Sequence, residues 1–194
     1  MNHSAANQSR RSRSGAQGER AVEHALTASE RAGLGYLRKR PTQTAKRRDG
    51  GLAYTKVAGT DYAGVLRGGR AAYLEVKRVG SGDSLPYSKL RSAQTEELAR
   101  VHALGALAAV VVVWGPLGTR ISVIPWAELA PLLALGGRGS VDLARACVPA
   151  NTPLLAWVTE RDSAQKSWEL DTTRESEQSA KASAGARVRR GTKR

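Results

Sequence analysis

Asp61, Glu75 and Lys77 are the residues of this chain whose types and spacing point most directly to chemistry. They lie in the stretch TDYAGVLRGGRAAYLEVKRV, residues 60–79. Gly68-Gly69 signals a tight turn joining two strands. In the second strand Ala72, Leu74 and Val76 face one way, while Tyr73, Glu75 and Lys77 face the other. Residues two apart on one strand face stand about 6–7 Å from each other, so Glu75 and Lys77 are neighbours. The hairpin brings Asp61, at the start of the preceding strand, alongside Glu75. Two converging carboxylates repel each other unless a cation sits between them, and hard oxygen ligands suit Mg2+ or Mn2+. A lysine beside such a site places positive charge on a phosphate or orients an attacking water, which together describes metal-assisted phosphodiester hydrolysis. The competing reading is an exposed strand with a Glu–Lys pair, since E-x-K arises by chance in many chains.

The elements around these residues read as α+β, a central mixed sheet flanked by helices. GERAVEHALTASERAG has apolar residues at helical spacing, with Ser14 or Gln17 as a cap and Gly33 as the stop. LGYLRKR reads as a strand ending at Pro41. TAKRRDGGLAYTKV carries Asp49-Gly50-Gly51, a hairpin turn between two short polar arms, predicting a small projecting hairpin at about 42–57. A helix over 89–104 turns Leu90, Ala93, Leu98, Val101 and Leu104 inward, and ALAAVVVVW reads as a fully buried central strand. TRISVIPW pairs with it through the Gly115–Gly118 turn. WAELAPLLAL and SVDLARACV read as short helices and LLAWV as one more strand.

The 194 residues carry 31 Lys and Arg against 17 Asp and Glu, a net charge of +14 that attracts polyanions, nucleic acid first among them. The basic residues cluster at SRRSRS, at RKRPTQTAKRR and at KASAGARVRRGTKR. Both ends are rich in Ser, Ala and Gly, so residues 1–15 and 166–194 are expected to be disordered basic tails around an ordered domain at 16–165. A single cysteine, Cys147, excludes an internal disulfide framework, and His3, His24 and His102 have no zinc spacing. The longest apolar run is too short to span a bilayer, and the expected compartment is a reducing cytoplasm. GGRGS at 136–140 lacks the lysine of a phosphate-binding loop, and no Ser/His/Asp constellation is present.

With these motifs in place, the chain resembles the PD-(D/E)xK nuclease superfamily, Asp61 and Glu75-Val76-Lys77 forming its signature. Within it the chain resembles the RecU-type Holliday junction resolvases. KRPT (39–42), GTDYAG (59–64), LEVK (74–77), SLPYSKLRSAQ (84–94) and ALGALAAVVVVW (103–114) fall in that family's order. The resemblance covers about residues 15–130 and implies a restriction-endonuclease-like fold and a homodimer that cuts four-way DNA junctions in recombination and repair. It implies Asp61 and Glu75 as Mg2+ ligands, with the Val76 carbonyl as a further one and Mn2+ as a substitute metal. Lys77 would act on the attacking water or the scissile phosphate. Glu19 would complete the acidic cluster, and Gln94 would position substrate or metal-bound water. Without the resemblance, Glu19 reads as an acid favoured in a first helical turn and Gln94 as an exposed helix residue. Thr60 reads either as a phosphate contact or as a turn residue. Lys46, Arg47, Arg48, Tyr54 and Lys56 of the hairpin are candidate DNA contacts, against the alternative of a solvated basic loop. Here the chain departs from the family, whose members carry a longer stalk between Pro41 and Asp61. Two other readings stand beside the resolvase: a restriction- or repair-type endonuclease of the same superfamily, and a non-catalytic basic DNA-binding protein on the same fold.

Overall fold

The computed structural model describes residues 18–41, 44–46, 52–54, 59–136, 139–149 and 152–163. Helix α1 (18–31) buries Val22, Leu26 and Ser29, which recur at helical spacing, and Gly33 with φ +67° lies just beyond its end. Strand β1 (Gly35–Lys39) follows, then the small hairpin of β2 (Thr44–Lys46) and β3 (Leu52–Tyr54), in which Lys46 pairs with Leu52 and Thr44 with Tyr54. The chain returns as β4 (Tyr62–Leu66), turns, and continues as β5 (Ala71–Arg78). At that turn Gly68 and Gly69 have φ of 93° and 88°, backbone that side chains with a Cβ rarely adopt.

Strand β6 (Ser84–Pro86) precedes helix α2 (Ser92–Ala103), which leads into β7 (Leu107–Trp114) and β8 (Arg120–Pro125). Helix α3 (Trp126–Ala134), strand β9 (Ser140–Asp142) and helix α4 (154–163) complete the described chain. The fold is α+β, with a mixed five-stranded sheet in the order β1-β4-β5-β7-β8 flanked by helices. Only β5 and β7 run parallel, and α2 is the connection that a parallel pair requires.

All eight residues of β7 are buried because both sheet faces are covered. Leu107, Ala109, Val111 and Val113 join a cluster with α1 and α4, while Ala108, Val110, Val112 and Trp114 join one with α2 and α3. Each fully buried valine or leucine contributes about 1.5–3 kcal/mol, so this strand is the main anchor of the sheet. No helix among the described residues is long and apolar enough to cross a membrane.

Three expectations differ from the structure. Helix α2 begins at Ser92, after a 3-10 turn at Tyr87–Lys89, and Leu104 at its far end is 81% exposed rather than inward. SVDLARACV is not a helix: β9 pairs with β6, and the Asp142 side chain accepts the Ala144 N–H at 2.9 Å, starting a 3-10 turn instead. LLAWV is helical, because Leu154, Leu155, Val158 and Asp162 share one buried face at period 3.6, where a strand would alternate.

Candidate active site

The pairing of β4 with β5 stops at Tyr62 opposite Leu74, so Glu75, Val76 and Lys77 run past the end of β4. Asp61 occupies the space beyond it. Its main-chain carbonyl accepts the Arg40 N–H at 2.8 Å, continuing the ladder with β1, and its Oδ2 accepts the Val76 N–H at 2.8 Å. A strand residue directs its N–H and C=O to the same neighbour, so the Val76 carbonyl also faces the side where Asp61 stands.

Glu75 is 1% exposed and lies opposite Val110 of β7. Its Oε1 accepts from Lys77 Nζ at 2.7 Å and from Gln94 Nε2, while Lys77 Nζ also donates to Gln94 Oε1 at 2.8 Å. The three side chains thus form a closed ring. Gln94 is placed for it at the start of α2, where its Oε1 also accepts the Arg91 N–H at 3.1 Å. The other oxygen of Glu75, Oε2, is buried and accepts no N–H or hydroxyl group; it can hydrogen-bond Asp61 only when one of the two carboxyls holds a proton. Burial, and then the nearby Asp61 charge, push the Glu75 carboxyl up to about 7. Asp61 is raised as well, by burial first, with the Val76 N–H and Lys77 opposing. A buried Glu75 beside a half-buried Asp61, two carboxyls that resist ionising together, has the charge pattern a cation would relieve.

Asp61, Glu75, Val76, Lys77 and Gln94 are therefore brought together. Glu19 stands at the edge of this group: its Oε2 accepts from Lys39 Nζ at 2.5 Å on a half-exposed surface, and its charge reaches Asp61 and helps to raise that carboxyl. Among the described residues no three of His, Cys, Asp and Glu stand close enough to form a metal-holding group. The donor set that remains, two carboxylates with a backbone carbonyl nearby, still fits Mg2+, which commonly takes one or two carboxylates and keeps several waters. Thr60, read either as a phosphate contact or as a turn residue, joins Arg40 and Glu97. It is fully buried, its N–H is donated to Glu97 Oε2, and its Oγ1 accepts from Arg40 Nη1 at 3.2 Å. Lys46 and Tyr54 lie on the paired hairpin strands, whereas Arg47, Arg48 and Lys56 lie outside the described residues.

The residues missed in the sequence are Lys39, Arg40 and Glu97. Arg40 Nη1 lies 2.5 Å from Glu97 Oε1. Burial pushes the Glu97 carboxyl up, but the hydrogen bonds from Arg40 and Thr60 outweigh it and hold the group below its ordinary value. The available signal was spacing, because Glu97 follows Gln94 by three on one helix face. No protein-family model matches this chain, and no curated protein matches it, so a functional assignment rests on the geometry of Asp61, Glu75, Lys77 and Gln94.

Proposed function

We propose that the chain is a metal-dependent DNA endonuclease that resolves four-way junctions, acting as a symmetric homodimer. The observation that carries the hydrolytic part is the ring of buried Glu75 and Gln94 with part-buried Lys77 beside Asp61, where Glu75 Oε2 accepts no N–H or hydroxyl group. Asp61, Glu75 and the Val76 carbonyl would hold Mg2+, or Mn2+ in its place. Bound there, the cation supplies Lewis-acid polarisation of the scissile phosphate and neutralises developing charge.

The chain's own residues do the positioning. The Val76 N–H fixes the rotamer of Asp61, and Gln94 holds Lys77 against Glu75. Lys77, with a side chain 15% exposed, presents the ammonium that meets the phosphate or orients the attacking water. Water attacks phosphorus and the P–O bond to the leaving sugar oxygen breaks, with no covalent enzyme intermediate required. The net charge of +14 favours DNA as the polyanion. The ordered motifs KRPT, GTDYAG, LEVK and SLPYSKLRSAQ favour the resolvase class, and a resolvase that makes paired symmetric nicks would need two sites related by a two-fold axis.

The test is cleavage of four-way junction, flap, nicked and linear duplex DNA, with and without Mg2+. Paired nicks in the junction that require the metal are expected. Asp61→Asn should abolish cutting while junction binding persists or tightens, because the change removes a negative charge near a phosphate. Equal cutting of every DNA would indicate a less selective nuclease of the same kind. No cutting of any DNA with either metal would overturn the enzymatic reading.

A further inference from the structure

Glu97 stands where the segment containing β2 and β3 leaves the sheet and where it rejoins it. Arg40, the last residue before Pro41, reaches Glu97 Oε1, and Thr60, the residue before Asp61, donates its N–H to Glu97 Oε2. Arg40 Nη1 also donates to Thr60 Oγ1 at 3.2 Å, which joins the two roots directly. The carboxylate has room only because residue 59 is glycine, since a Cβ there would lie 1.5 Å from Glu97 Oε2. Glu97 is three residues beyond Gln94, and between them the two residues tie α2 to the β5 ring and to the hairpin roots.

We propose that Glu97 is a positioning residue that fastens both roots of the hairpin segment to the helix carrying Gln94, and thereby sets the place of Asp61. Its consequence for catalysis rests on the nuclease reading, but the fastening itself does not. Neutralising Glu97 leaves an amide with one acceptor oxygen, and an NH2 group then faces one of the two donors now satisfied, Thr60 N–H or Arg40. Thr60 is covalently joined to Asp61, so a displaced Thr60 moves the carboxylate that the Val76 N–H now binds.

The discriminating measurement is amide hydrogen exchange of Glu97→Gln and, separately, Gly59→Ala, compared with the native chain in the absence of metal. Losing a charge-assisted hydrogen bond corresponds to about tenfold or more in local opening, so the Thr60 amide should exchange about tenfold faster. The Val76 amide, which makes no contact with Glu97, should also lose protection, while the Val110–Val112 amides keep theirs. Faster exchange at Thr60 with Val76 unchanged would overturn the proposal by confining the clamp to its own contacts. A uniform loss across β7 would overturn it by reducing Glu97 to general stability. A cleavage assay on the same variants separates the two readings. The nuclease reading expects kcat to fall with junction Kd unchanged. If the native chain cuts no DNA yet shows the expected exchange pattern, the nuclease reading fails and the clamp stands.

Discussion

Replacing Glu75 with Gln should make the metal-free protein more stable above neutral pH, although it alters a buried polar residue. The Glu75 carboxyl has an ordinary value of 4.5 and stands at about 7 in the fold. The folded state therefore binds this proton more tightly than the unfolded chain. The stability it contributes is complete below about 4.5 and is lost as pH rises through about 7. At about 1.4 kcal/mol per pH unit the loss reaches about 3 kcal/mol. An amide stays neutral throughout: its oxygen still accepts from Lys77 and Gln94, and its NH2 group can donate to Asp61 from the position of Oε2. Lys77 Nζ, 2.7 Å from Glu75 Oε1, loses its counter-charge in the variant, so about 3 kcal/mol is a ceiling. For a domain of this size that ceiling corresponds to about 6–12 °C in Tm. Urea unfolding followed by tryptophan fluorescence in EDTA, at about pH 5 and about pH 8, measures the difference directly. Glu75→Gln and the native chain should be close at the lower pH and diverge at the higher. Adding Mg2+ at the higher pH should stabilise the native chain and leave the variant unchanged. Native stability that stays flat over this range, or a variant less stable at the higher pH, would refute the reasoning.

Leu98→Ala should cost about 2–5 kcal/mol in urea unfolding, because Leu98 is fully buried and α2 hangs on it. A loss under about 1 kcal/mol would mean that α2 is anchored by its polar contacts instead. Replacing Lys46, Arg47 and Arg48 together with Ser should weaken junction binding more than duplex binding in gel-shift titrations at one fixed salt. An equal loss on both DNAs would reduce the hairpin to general phosphate contact.

Much of the fold was legible because its strongest signals are one-dimensional. The run from Leu107 to Trp114 admits a strand covered on both faces, and the alternation from Ala72 to Lys77 fixes which residues reach the site side. Asp61 was legible for the same reason, since the Gly68-Gly69 turn sets the return of one strand along another. LLAWV was not: Leu154-Leu155 adjacent to Trp157-Val158 suits either period over five residues, and only the longer span through Asp162 decides for the helix. Glu19 enters as a site acid through the family resemblance alone, and its salt bridge with Lys39, twenty residues away, is one that local pattern does not announce. The contact between Thr60 and Glu97 was hidden in the same way. Their partnership joins a loop to a helix 37 residues later, and neither residue type is unusual where it stands.

The division of the core by the sheet has a consequence for biosynthesis. The cluster under α2 and α3 draws on residues from Val79 to Ala146, a continuous stretch that leaves the ribosome together. The opposite cluster needs both ends of the described chain. Val22 and Leu26 of α1 meet Leu154, Leu155 and Val158 of α4, and Ser29 Oγ accepts the Leu155 N–H from 126 residues away. At about 5–20 residues per second, α1 waits about 6–25 s for its partner helix to be synthesised. During that interval the side bearing Glu75, Lys77 and Gln94 can close, while Val22 and Leu26 remain without α4. A nascent chain of this kind presents its first helix, rather than the face bearing Glu75, to holdase chaperones.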